Sequence, residues 1–214
     1  MKKIFFSFII LTAIACKKNP EKFVNDHADS SGRVTDSTKN ANRTKATVSK
    51  QETLKKLNEA IIQSLKDKNY KSFAEYIHPE KGVRFSMYAF VNPEQDKKFS
   101  KTDFEKYQPS KTIFTWGMLD GSGDLYKATI NDYLGKWVYS KDFATGQVSL
   151  NEFQGSGNSL NNLKKIYPNA DFTENFLKGS EANSGMDWKC LRLVFEESQG
   201  KYYLVAVIND QWTI

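Results

Sequence analysis

Trp188-Lys-Cys-Leu-Arg-Leu-Val-Phe-Glu196 and Lys201-Tyr-Tyr-Leu-Val-Ala-Val-Ile208, joined across Glu197-Ser-Gln-Gly200, decide the fold. Both runs are rich in β-branched and aromatic residues and are separated by a short polar, glycine-ending turn, the pattern of a β-hairpin. Leu191, Leu193 and Phe195 fall on one face of the first strand, and Tyr203, Val205 and Val207 on one face of the second. The opposite faces are also apolar, which predicts a hairpin central in an antiparallel sheet and covered on both sides.

Working back from the hairpin, Phe172 to Leu177, Val148 to Phe153, Thr112 to Leu119 and Val83 to Val91 read as further strands. Asp120-Gly-Ser-Gly-Asp124 reads as a hairpin turn, since the acid that an EF-hand needs at loop position 12 is replaced by Asn131. Ser100-x-x-Asp103 and Thr129-x-x-Asp132 predict short helices to Tyr107 and about Tyr139. Another helix is expected from Asn158 to Ile166, stopped by Pro168. Nearer the N-terminus, Ser49-x-x-Glu52 forms a capping box, and Leu54, Leu57, Ile61 and Leu65 repeat at helical spacing. A second helix, Tyr70 to Ile77, ends at His78-Pro79, because the residue before proline disfavours the α conformation. Helices first and strands later make an α+β domain over residues 49–214, an N-terminal helix pair packed on a curved, mainly antiparallel sheet.

Residues 17–48 hold few large apolar side chains among many Ser, Thr, Asn, Asp and Lys. Such a segment cannot bury enough surface to offset its ordering entropy and reads as a disordered tether. Ahead of it, Lys2 and Lys3 precede an apolar run from Ile4 to Ala15 and then Cys16. The run is too short to span a bilayer, which takes roughly 20 residues, and has the layout of an export signal. Residues 1–15 resemble the bacterial lipoprotein signal, in which the thiol of the cysteine, here Cys16, is lipidated before cleavage leaves it first in the mature chain. An ordinary secretory signal with its Ala13-Ile-Ala15 site would cut the same bond and leave no lipid. The resemblance implies a palmitate-type acyl anchor, a lipid bilayer as partner, and a cell-envelope membrane as location, with an outer membrane permitted because Lys17 follows the cysteine. More than one acyl chain would hold the protein stably.

Composition narrows the function. The chain carries a formal charge of +6, yet only four of its 31 basic residues are arginine, and the lysines are scattered among acids. A nucleic-acid site favours arginine forks on one basic face, so nucleic acid is not an expected partner. Two cysteines and two histidines show no zinc spacing, and no metal or other cofactor is expected. Cys190, between apolar residues, reads as a buried, inert thiol. Walker, G-x-S-x-G and H-E-x-x-H motifs are missing from the sequence.

The candidate pocket residues are His78, Arg84, Trp116, Asp187, Trp188, Arg192 and Asp210. His78 has the chemistry of a general base if Glu80 or Asp187 orients it, although a histidine at a helix end commonly serves the backbone instead. Arg192 inside an apolar strand demands a carboxylate, with Asp187, Asp210 and Glu80 as candidates. Phe85, Trp116, Trp188 and Tyr203 are expected to line a cavity. Three readings remain: a non-catalytic envelope module that binds a small molecule or a protein partner, an envelope enzyme using His78 with a carboxylate, or a structural lipoprotein with no pocket.

His78-Pro-Glu-Lys-Gly-Val-Arg-Phe-Ser86, Trp116-Gly-x-x-Asp-Gly-Ser-Gly123, Gly157-Asn-Ser-Leu-Asn-Asn162, Gly185-Met-Asp-Trp188 with Leu191-Arg-Leu-Val-Phe195, and Asp210-Gln-Trp-Thr-Ile214 resemble an uncharacterised family of bacterial envelope lipoproteins. That likeness covers residue 49 onward and implies an envelope address without a particular activity. The helix pair ahead of a curved sheet also looks like the NTF2-like fold.

Overall fold

The computed structural model describes residues 37–214, with side chains from Ser49 onward. The expected signal, Cys16 and the first part of the tether lie outside the described residues. By contacts the chain divides into Met1–Thr38 and Lys39–Ile214, and the second unit carries the fold described here.

Its architecture is α+β. The chain runs α1 (Ser37–Lys66), α2 (Tyr70–Ala74), β1 (Val83–Ser86), β2 (Lys97–Phe99), α3 (Lys101–Tyr107), β3 (Phe114–Met118), β4 (Leu125–Ala128) and α4 (Ile130–Tyr133). It continues through β5 (Gln147–Leu150), α5 (Leu163–Ile166), β6 (Asp171–Leu177), β7 (Lys189–Ser198) and β8 (Lys201–Gln211). Six strands form one sheet in the order β2-β1-β8-β7-β6-β5, while β3 and β4 form a separate pair. Only β1 and β8 run parallel; the other pairings in the large sheet are antiparallel.

The β7–β8 hairpin is central and buried on both faces, as its two-sided apolar pattern requires. The alternation of β8 breaks at Val205. Val194 pairs with Ala206 and Phe195 with Leu204, so Val205 has no opposite number. This bulge places Leu204 and Val207 in the larger core and Val205, Ala206 and Ile208 in the smaller one. Tyr203, Val205 and Val207 therefore do not share a face, contrary to simple alternation.

The larger core lies between the sheet and α1 to α4. α1 contributes Leu54, Ile61, Ile62 and Leu65, and Asn58 sits in the same stripe. The Asn58 and Asn175 side-chain amides bond reciprocally, each donor–acceptor distance 2.9 Å, and Thr173 donates to the Asn58 carbonyl at 2.7 Å. A polar stitch thus fixes helix to strand where an unpaired amide would cost about 1–3 kcal/mol. α1 begins at Ser37 rather than at the capping box, and Ser49 lies inside it, its carbonyl accepting a bond from the Thr53 hydroxyl. Residues 37–48 are thus helical backbone, in place of the expected tether. The boxes farther along do cap: Ser100 accepts the Asp103 amide and Thr129 that of Asp132. Val83 to Val91 extends only to Ser86 as strand, because the Ser86 hydroxyl turns back to the Tyr88 and Phe90 carbonyls. The helix expected from Asn158 is confined to α5.

The smaller core lies on the opposite face, where Leu163, Phe172, Val194, Val205 and Ile208 meet. Residues 151–162 cover the rest of that face. Among the described residues no helix is long and apolar enough to cross a membrane.

Candidate functional site

The residues expected to form one pocket are distributed over the molecule. Trp116 is buried in the larger core, stacked on Tyr133 at 3.7 Å, and its indole N–H donates to the Ala128 carbonyl. Phe85 packs edge-on to both rings, so the aromatic cavity expected there is filled core. Arg84 reaches the other way and donates to the carbonyls of Asn92, Pro93 and Asp96, pinning the turn into β2. Asp187 accepts the amide and hydroxyl of Ser180 and stands 3.5 Å from the Lys141 ammonium. The Ser180 amide above all holds its carboxyl down at about 2. It closes a loop and meets neither Arg192 nor His78.

His78 is buried, and its Nδ1 accepts the backbone N–H groups of Glu80 (3.2 Å) and Lys81 (3.0 Å). Burial, aided by the Lys81 charge, lowers its pKa below the ordinary histidine value. The ring is a neutral acceptor that organises the turn before β1. The carboxylate partner expected of a general base is not bonded to it.

Arg192, Asp210 and Trp188 do come together, on the face of the sheet covered by residues 151–162. Register decides this. Arg192 on β7 lies opposite Glu174 on β6, and Asp210 on β8 lies opposite Cys190 on β7, diagonal to Arg192. Arg192 Nε donates to Glu174 Oε2 at 2.6 Å, and its Nη2 donates to Asp210 Oδ2 at 2.8 Å and to the Gly155 carbonyl at 3.2 Å. The Phe153 ring covers the guanidinium, its centroid 5.0 Å away. Glu174 Oε1 in turn accepts the amides of Gln154 (2.7 Å) and Gly155 (2.6 Å). Gly155 passes so close to the sheet that a Cβ there would stand 2.9 Å from the Trp188 ring and 3.1 Å from the Cys190 sulfur.

Arg192 and Glu174 side chains have no exposure and Asp210 only 3%. Two carboxylates face one guanidinium, leaving one buried negative charge. Burial raises the Asp210 pKa, while Arg192 opposes that rise. Burial also pushes the Cys190 thiol far up, so it stays protonated. Glu174 is the residue that sequence reasoning missed. It shares the alternation of Phe172 and Phe176 on β6, an acid on an apolar face, and that was its signal. The constellation has no thiolate and no exposed acid–base pair. Its chemistry is that of a clamp, an ion triad holding residues 153–155 on the sheet.

The clamped loop runs on into a groove. Asn158 donates to the Thr213 carbonyl, and the Ser159 and Thr213 hydroxyls are 3.3 Å apart. Tyr88, Phe90, Met118, Asp120, Ser159, Leu160 and Thr213 line a groove of about 440 Å³. Phe90, Met118 and Leu160 are 48, 57 and 77% exposed, an uncommon gathering of large apolar side chains. At the polar end, the Tyr88 hydroxyl accepts the Asp120 amide and Asp120 Oδ2 accepts the Ile214 amide.

No family model and no curated protein matches the chain.

Among the described residues, no group of three His, Cys, Asp or Glu side chains is placed to hold a metal ion.

Proposed function

We propose that this chain is an envelope lipoprotein, anchored to a bilayer through acylated Cys16, whose folded domain is a non-catalytic binding module. The observation that carries the binding reading is the convergence of Phe90, Met118 and Leu160 around one groove beside the clamped loop. A volume of about 440 Å³ suits a small apolar molecule, and the Tyr88, Ser159 and Thr213 hydroxyls offer it one polar end. The enzyme reading gains no support from His78, whose Nδ1 already accepts two backbone amides. The NTF2-like likeness rests on α1 and α2 preceding a mainly antiparallel sheet.

Two measurements test these parts separately. Mass spectrometry of the mature N-terminus should show diacylglycerol on Cys16, and Cys16→Ala should release the protein from membranes. An unmodified cysteine in the native protein would remove the anchor. For the groove, the neutral dye N-phenyl-1-naphthylamine should bind saturably with a rise in fluorescence. Leu160→Asp, at an exposed position, should weaken that binding at least tenfold, and unchanged affinity would rule the groove out.

A further inference from the structure

A second groove, of about 690 Å³, lies between α1 and the β7–β8 turn. α1 supplies Ser49, Lys50, Thr53 and Lys56 from one face, and the hairpin supplies Lys201 and Tyr202. Lys50 is spoken for, with its ammonium 2.8 Å from Asp171 and 5.8 Å from the centre of the Tyr202 ring. Lys56 and Lys201 make no ion pair among the described residues, and Glu197 is the one acid lining the groove. Two uncommitted ammonium groups, with the Ser49 hydroxyl along the same wall, form a concave surface with positive excess. Its charge complements a phosphodiester, which carries one negative charge and several acceptor oxygens.

We infer that this groove docks the phosphate headgroup of an anionic lipid, so that the domain lies against the bilayer by its α1–hairpin edge. The inference rests on the anchored reading above, in which the chain from Cys16 leads in sequence into α1. A tethered domain meets headgroups at high effective concentration, so weak contacts suffice. Each lysine near an anionic surface strengthens attachment about fivefold.

The test uses the full chain with vesicles of phosphatidylcholine alone and with 30% phosphatidylglycerol. Binding and the acetylation rates of Lys56 and Lys201 are read together, and Cys16 is weighed in the same sample. On anionic vesicles both lysines should be protected. The double variant Lys56→Gln/Lys201→Gln should lower the preference for anionic vesicles about 30-fold, as should 0.5 M salt. Equal protection on both vesicles, or a double variant that keeps the preference, would overturn the inference. Protection by millimolar inorganic phosphate without vesicles would overturn it too, making the ligand a free anion. An unacylated Cys16 with protection intact would instead remove only the anchored reading.

Discussion

Glu174 Oε2 accepts a hydrogen bond from Arg192 Nε across 2.6 Å, with neither side chain reaching solvent. The same carboxylate reaches the other way with Oε1 to two loop amides, so a single acid joins sheet to cover. Removing one member of a buried ion cluster leaves uncompensated charge, which costs more than the cluster contributes over an apolar substitute.

Arg192→Met should therefore destabilise the domain by about 3–5 kcal/mol. The triple change Arg192→Met/Glu174→Gln/Asp210→Asn should recover much of that loss, since no lone charge remains. Urea unfolding of both variants checks the order. A single variant no worse than the triple would argue against the clamp.

Close approach makes its own prediction. Gly155→Ala should cost about 1–3 kcal/mol, because the added methyl presses on the Trp188 ring and Cys190 sulfur and on backbone that Glu174 fixes. Gly135→Ala, where a Cβ meets nothing within 4 Å and the backbone is unstrained, should stay within about 0.5 kcal/mol of the parent. Thermal melts of the two should separate clearly.

Asp96 gives a pH dependence. Burial raises its folded pKa from 3.8 to about 6, against the opposing bond from the Asn92 amide and the charge of Arg84. Between those values the folded state binds more protons than the unfolded one, so this group's contribution to stability falls as pH rises from about 4 to 6. Asp96→Asn keeps the oxygen that accepts the Asn92 amide. The variant should gain on the parent above pH 6 and lose that advantage near pH 4. A parent-minus-variant difference flat across this range would count against it.

Cys190 is fully buried and its thiol is held protonated by that burial. Iodoacetamide should leave it untouched in the native protein and alkylate it once guanidinium unfolds the chain. In the acylated protein only one thiol should then appear, and a second would count against lipidation of Cys16.

Much of this fold is readable where the signal is local. The Ser100 and Thr129 caps need only three residues of context, and the β7–β8 hairpin announces itself by two-sided apolarity. Arg192 advertised its need for an acid because a charge in an apolar strand has few remedies. Which acid answered depended on register between strands that are distant in sequence, and so Asp210 was legible as a candidate while Asp187 and Glu80 were indistinguishable from it. The bulge at Val205 is invisible locally, since a single unopposed residue leaves no mark in an all-apolar run. The groove was unreadable for a similar reason. Phe90, Met118 and Leu160 come from three separated loops and strand ends, and nothing in their own neighbourhoods marks them as exposed.

The parallel pairing of β1 with β8 sets the order of assembly. Arg84, Phe85 and Ser86 find their partners at Ala206, Val207 and Ile208, more than a hundred residues later, and among the described residues β8 is also the one neighbour that links β1 and β2 to the rest of the sheet. Until residues 201–211 are delivered, β1 and β2 have no large sheet to join, and loop closure over such a distance is slow. A chain cut short before Lys201 would thus lose more than one strand, because β8 is the joint between the β2–β1 and β7–β6–β5 parts of the sheet.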